Sequence, residues 1–385
     1  MGKIYDINGK VLENTVSEIT EKVKEFTAEI PTNALAYHSD WDNLVNRGFC
    51  ERTLLGNVDE NESYPIYLYK FLKNKDWCAN YTVSEYDGTN DLYERPKILI
   101  TSCFHGNERA TPSFVLSFFE TLCNDSKHAD ILYSFDWYVI PLVNPWGYSN
   151  SLISTENGSV MWVDTAPNGF DENGIPIGYT VVNNEDGYYA GIRRNADGYD
   201  INRDWSDSEY NDTDGFTYGF KTKEAQLVKE VLLSKNFDVA IDFHQAPGIG
   251  GSWKPTLCGF VSLYSKPSNM DEETYNSIKT IVYSKITQAG AKTDCLMCEY
   301  LGMSEPIQTS YIWTAGSGKV FRNYAGGSDG NTANIEHTVK YSLCMETSPH
   351  CYAYSNSSDT YGEIANTYGN TFVYEFLKEF LEIYK

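Results

Sequence analysis

Long apolar runs are missing from this chain. Although 41% of its 385 residues are hydrophobic, no stretch approaches the roughly 20 residues that a membrane helix needs. The opening, Met1-Gly2-Lys3-Ile4-Tyr5-Asp6, lacks the apolar core of a secretory signal, so the expectation is a soluble, unexported, cytoplasmic chain. Basic residues are also scarce. The 30 Lys and Arg face 53 Asp and Glu, a formal charge of -23, which repels nucleic acid over most of the surface and reads as a solvated acidic exterior. Nine cysteines are too few for a disulfide scaffold, and their odd number leaves at least one unpaired, so they read as mostly reduced. No internal repeat and no linker-like stretch divides the chain, which is long enough to bury a substantial core.

What is present is an alternation of strand and helix patterns. Ile19, Val23, Phe26 and Ile30 recur at helical spacing over 17–30, ahead of Pro31. Two β-type runs, 52–58 and 64–71, flank the polar Asp59-Glu60-Asn61-Glu62 and predict a hairpin. Beyond it the pattern predicts strand 97–101, helix 111–122, strand 137–142, a long Gly- and Asn-rich loop over 144–208, helix 221–234, strand 238–242, helix 271–288, strand 341–345 and helix 371–383. Strand-helix-strand order predicts a single α/β domain: a mixed, twisted β-sheet flanked by helices. Residues 11–385 are assigned to that domain, and 1–10 to an N-terminal extension with no assigned role.

Ligands in open α/β sheets bind beyond the carboxyl ends of the strands, and chemistry-bearing residues cluster at those positions. His105-Gly106-Asn107-Glu108 follows the strand at 97–101, Phe243-His244-Gln245 follows 238–242, and Glu346 follows 341–345. An H-x-x-E pair alone is weak, because six histidines in so acidic a chain give about 0.8 H-x-x-[DE] matches by chance. Position strengthens it. A short Gly-containing turn between a buried strand and a helix can aim His105 and Glu108 at one ion, and His244 supplies a third ligand. Two imidazoles and a carboxylate leave a fourth position for water, as catalytic rather than structural zinc sites do. Glu346 is then the carboxylate placed to move protons.

At these residues the chain resembles the zinc carboxypeptidases, the funnelin-type metallocarboxypeptidases. His105-Gly106-Asn107-Glu108 is similar to that family's first two metal ligands, Asn144-Pro145-Trp146-Gly147-Tyr148 to its N-P-x-G-Y loop, and Gly198-Tyr199-Asp200-Ile201-Asn202-Arg203-Asp204-Trp205 to its G-V-D-L-N-R-N-[FW] segment. Asp242-Phe243-His244 resembles the part carrying the third ligand. Tyr324 before Gly326-Gly327-Ser328 looks like the mobile substrate-binding tyrosine, and Glu346 like the catalytic glutamate. The resemblance implies one Zn2+ on His105, Glu108 and His244. It makes Glu346 general base and then general acid, and assigns the substrate's terminal carboxylate to Asn202 and Arg203, with Tyr324 as cap. Arg193-Arg194-Asn195-Ala196-Asp197-Gly198 is similar to the R-x-N-x-x-G lead-in of bacterial short-form members, which makes Arg193 the first choice for oxyanion stabiliser and Arg194 the alternative.

Two departures stand out. Asp204 replaces the last Asn of the N-R-N triplet and is expected to put negative charge beside the carboxylate grip. Asp329 falls near the family's side-chain pocket, where it would favour a basic or amine-bearing terminal residue. The implied activity is hydrolysis of a peptide's C-terminal bond. A murein-peptide hydrolase cleaving next to diaminopimelate, an N-acyl amino acid deacylase and an inactive peptide-end binding module remain as alternatives.

Overall fold

The computed structural model describes residues 4–5, 11–12, 33–71, 95–106, 108–124, 129–150, 159–163, 181–183, 191–211, 215–245, 259–264, 266, 270–288, 307–308, 319–328, 334–347 and 372–384. The helix predicted at 17–30 lies outside them. The hairpin forms as expected: β1 (Cys50–Asn57) and β2 (Pro65–Phe71) pair antiparallel. They join β3 (Lys97–Ser102), β4 (Asp136–Ile140), β5 (Val239–Gln245), β6 (Gly259–Leu263), β7 (Ile307–Gln308) and β8 (Tyr341–Thr347) in one eight-stranded sheet, ordered β7-β6-β8-β5-β3-β4-β2-β1. The centre, β8-β5-β3-β4, is parallel, and the outer pairs β6/β8, β4/β2 and β2/β1 are antiparallel. The sheet is therefore mixed, as the sequence predicts.

Period-2 alternation divides the strands between two cores. Ile98, Ile100, Val239, Ile241, Phe243, Tyr341 and Leu343 belong to one core, with Trp41, Phe119, Trp137 and Phe376. Leu99, Ile140 and Ala240 belong to the other, with Phe104, Trp205, Ala225, Val228 and Phe321. Helices α1 (Ala34–Asp40), α3 (Ala110–Asn124), α7 (Glu272–Gln288) and α9 (Tyr374–Tyr384) supply the first core. There Trp137 is fully buried among Phe118, Phe119 and Phe135, and its truncation to Ala costs about 3–5 kcal/mol on the scale of large aromatic deletions. Helices α6 (Lys223–Ser234) and α8 (Phe321–Ala325) supply the second. Short helices α2 (Asp42–Asn46), α4 (Ala129–Ser134) and α5 (Pro145–Asn150) complete the α count used below. Among the described residues no helix is long and apolar enough to cross a membrane.

The strands run further than the apolar pattern suggests. β5 continues through His244 to Gln245 and β8 through Glu346 to Thr347, because the two strands go on pairing with each other, and β8 with β6, and polar side chains do not interrupt a ladder. His244 and Glu346 thus stand at the same register position on adjacent parallel strands.

Candidate active site

The site starts at the carboxyl end of β3. Cys103 adopts a left-handed backbone conformation, φ 57°, which for a non-glycine residue costs about 1 kcal/mol or more. Its neighbours hold it there: Val143 and Asn144 donate backbone N–H bonds to Ser102 and Cys103, and the Cys103 thiol bonds the His105 carbonyl. The bend releases the chain into a tight turn closed by Glu108 N–H on the His105 carbonyl at 3.0 Å, so positions i and i+3 are neighbours. The side chains meet, with His105 Nδ1 2.5 Å from Glu108 Oε1. β5 brings the third residue, with His244 Nδ1 2.9 Å from Glu108 Oε2. His105, Glu108 and His244 are all buried, and their ligand atoms lie within 4.8 Å of one another.

Each imidazole is backed by a carboxylate on its other nitrogen. His105 Nε2 lies 3.2 Å from Asp200 Oδ1, and His244 Nε2 lies 2.5 Å from Asp242 Oδ2. Such carboxylate–histidine pairs fix the tautomer so that the opposite nitrogen faces a metal, and they raise its basicity. The donor set therefore fits zinc: both Nδ1 atoms and one carboxylate converge, and both Nε2 atoms are held from behind. A second group, Asp242, His244 and Cys344, shares His244 and includes the carboxylate already bonded to that ring.

Charge balance follows the same geometry. Burial pushes the Glu108 carboxyl up, but His244 and His105 outweigh it and hold the group well below its ordinary range. Burial also opposes ionisation of Asp200, and Arg193, Arg203 and His105 reverse it, keeping Asp200 well below the usual carboxylate range. For His244, burial favours the neutral ring while Asp242 and Glu108 prevail and raise its pKa.

The arginines separate cleanly. Arg193 bonds Asp200 Oδ2 at 2.9 Å, and its Nη1 lies 3.2 Å from His105 Nδ1. Arg194 turns away: it is buried, donates to the Gly198 carbonyl and the Tyr218 hydroxyl, and lies over the Phe216 ring. Arg203 is close enough to act electrostatically on Asp200 and also bonds the Asn202 carbonyl. Asn202 is buried, its amide nitrogen 3.2 Å from His244 Nε2 and its amide oxygen accepting from Phe321 N–H at 3.1 Å.

Two residues sit elsewhere than expected. Tyr324 does not reach toward the metal ligands. Short helix α8 buries its ring against Trp205 and Phe220, and its hydroxyl donates to Asp207, 3.1 Å from both carboxylate oxygens. Asp204, expected beside the carboxylate grip, instead anchors the start of α6. It is fully buried and accepts from Thr222 N–H at 2.6 Å, Thr222 Oγ1 at 2.8 Å and Gly219 N–H at 2.9 Å. Its charge offsets three donors, not a substrate. The Glu346 backbone lies opposite His244; its side chain, like Asp329, is outside the described residues.

Sequence reasoning gave no role to Asp200, Asp242 or Asn144. Asp242 carried a signal, because D-x-H on a strand places both side chains on one face, where Thr101 Oγ1 also bonds Asp242. Asp200 gave none, being 95 residues from its histidine. Asn144 ties the site together: its amide nitrogen donates to the Phe104, Arg193 and Arg194 carbonyls and its oxygen accepts from Gly147 N–H. A Cβ on Gly147 would lie 2.7 Å from that amide, which is why only glycine fits there.

With this geometry in place, the zinc carboxypeptidase family model matches residues 62–361, a span that holds every candidate site residue. The chain belongs to the zinc carboxypeptidase family. Solved structures with the same architecture include a metallo-carboxypeptidase from Burkholderia cenocepacia, 13% identical at a TM-score of 0.51, covering 89% of this chain and 69% of that one. Thrombin activatable fibrinolysis inhibitor is 14% identical at a TM-score of 0.52, covering 96% of this chain and 82% of its own. At these identities the likeness concerns the fold. No curated protein sequence matches significantly. Zinc is the metal of this carboxypeptidase family, and His105, Glu108 and His244 are the residues that fit it.

Proposed function

We propose that this zinc carboxypeptidase hydrolyses the C-terminal peptide bond of peptides. The observation that carries the reading is the Glu108 carboxylate between the two imidazole Nδ1 atoms, with Asp200 and Asp242 behind the rings. Bound by His105, Glu108 and His244, zinc supplies Lewis-acid polarisation and lowers the pKa of water to about 7. Asp200 and Asp242 hold the imidazoles in the ligating tautomer. Glu346, at the register position beside His244, accepts a proton from the attacking water and delivers it to the leaving amine. Arg193, fixed on Asp200, offsets negative charge developing on the substrate's carbonyl oxygen. Arg203, with its planar fork, takes the substrate's terminal carboxylate, and Asn202, held through its amide oxygen by Phe321 N–H, supplies a neutral amide donor beside it. Exchange of Glu346 for Gln tests the assignment: kcat should fall by about 100-fold or more with zinc content unchanged. Unaltered turnover in that variant removes Glu346 from the reaction, and zinc-loaded wild type that binds peptide ends without turnover points to a module that only binds them.

A further inference from the structure

The segment that carries Arg193, Asp200 and Asn202 is held from beneath by a buried carboxyl that the proposed reaction does not use. Glu224 lies in the first turn of α6 and is 3% exposed. The Asn195 amide nitrogen sits 3.3 and 3.1 Å from its two oxygens. Asn195 in turn closes the tight turn 195–199: its Oδ1 accepts from Tyr199 N–H at 2.9 Å, its N–H donates to the Tyr199 carbonyl, and its carbonyl accepts from Gly198 N–H. The two ends of that turn are the working parts. Arg193 lies two residues before Asn195, Asp200 follows Tyr199, the two side chains meet at 2.9 Å, and Asp200 also meets His105. Asp204 fixes the same segment to Thr222, so the first turn of α6 is the platform on which the whole 193–204 stretch rests.

We propose that Glu224 and Asn195 act as a positioning pair that sets the 193–200 turn so that Arg193 reaches Asp200 and Asp200 reaches His105 Nε2. The inference rests on the carboxypeptidase reading for its kinetic readout and on the metal site for an independent one. A carboxyl is a costly choice for a purely structural bond here. Burial, with Asp197 and Asp204 adding to it, outweighs the Asn195 bond and the helix's own N–H and raises the Glu224 pKa to about 7. Gln at this position keeps one acceptor for Asn195 and removes the buried charge, so its effects on stability and on the site should run in opposite directions.

The test compares zinc-loaded wild type with Glu224→Gln, Glu224→Ala, Asn195→Ala and the double Ala variant. It measures melting temperature at pH 8, kcat and KM on a blocked dipeptide, and zinc affinity by competition with a chromophoric chelator. The pair predicts that Glu224→Gln melts no lower than wild type while kcat/KM falls about fivefold, and that Glu224→Ala loses about twentyfold or more with Gln recovering part of it. The double variant should be no worse than the poorer single, as expected for groups that act as a unit. Zinc should bind about fivefold or more weakly in Glu224→Ala, because Asp200 no longer holds His105. Kinetics and zinc affinity within twofold of wild type, or a loss of activity that only tracks the melting temperature, would overturn the proposal. If wild type cleaves no peptide, the functional reading fails on its own, and the zinc competition alone decides the positioning pair.

Discussion

Replacing Asp204 with Ala separates a structural from a substrate-facing role for the residue that departs from the family's N-R-N triplet. The fully buried carboxylate accepts from Thr222 N–H, Thr222 Oγ1 and Gly219 N–H. Truncation leaves three donors without that acceptor. The Thr222 hydroxyl can rotate, and its loss is small; the two backbone N–H groups cannot, and each unsatisfied buried donor costs about 1–3 kcal/mol. The total is about 4 kcal/mol. At an unfolding entropy of about 2.1 cal/mol/K per residue, the 385-residue chain loses about 5 °C of melting temperature. The assay is calorimetric or optical melting of the zinc-loaded protein beside KM for a peptide with a free terminal carboxylate. A variant that melts like wild type but binds that peptide several-fold more tightly would refute the reasoning, since it would mean the Asp204 charge faces the carboxylate grip.

Asp242→Asn should keep the fold and weaken zinc binding about 10- to 100-fold, the usual effect of losing a carboxylate behind a ligating imidazole, as read by chelator competition. Tyr324→Phe should leave KM within about twofold, because the hydroxyl is committed to Asp207; a tenfold rise in KM would return Tyr324 to the substrate site. His38 is held neutral by burial, its pKa down at about 3. The unfolded chain therefore binds the extra proton first, and stability is lost as pH falls from the unfolded value near 6.5 toward 3, by up to about 5 kcal/mol. His38→Leu should show a flatter stability profile across that window, measured by denaturant unfolding at pH 4 and pH 7, and an unchanged slope would remove His38 from the acid limb.

Much of this arrangement was legible in the sequence because it follows from local patterns. The apolar run at 97–101 is a strand buried on both faces, so the turn after it had to carry His105 and Glu108 to the sheet's carboxyl edge, and the structure brings both to His244. The boundaries were less legible. β5 and β8 continue past the last apolar residue because backbone pairing, and not hydrophobicity, ends a central strand. The 144–208 region reads as loop from its Gly and Asn content, yet it contains α5 and the three-residue helix at Ile201–Arg203, each started by a local side-chain bond, Asn144 to Gly147 N–H and Asp200 to Asn202 N–H, in segments too short to show an apolar period. Motif likeness also placed Tyr324 and Asp204 by chain position. Their side chains followed packing instead, the ring into the Trp205 core and the carboxylate onto the N-terminus of α6. Asp200 and Glu224 escaped for a common reason: each buried carboxylate declares its role only through a partner distant in sequence, His105 and Asn195, whereas the D-x-H spacing of Asp242 was there to be read.

The most direct test of the account is release of the terminal residue from a panel of blocked dipeptides and wall-derived peptides, with the end varied among aromatic, aliphatic, basic and diaminopimelate residues. The panel is run on zinc-loaded protein with and without a chelator. The account predicts release of a single C-terminal amino acid that stops with chelator and returns with zinc, and that is lost in His244→Ala. Zinc-loaded protein that binds these peptides and releases no residue from any of them would contradict it.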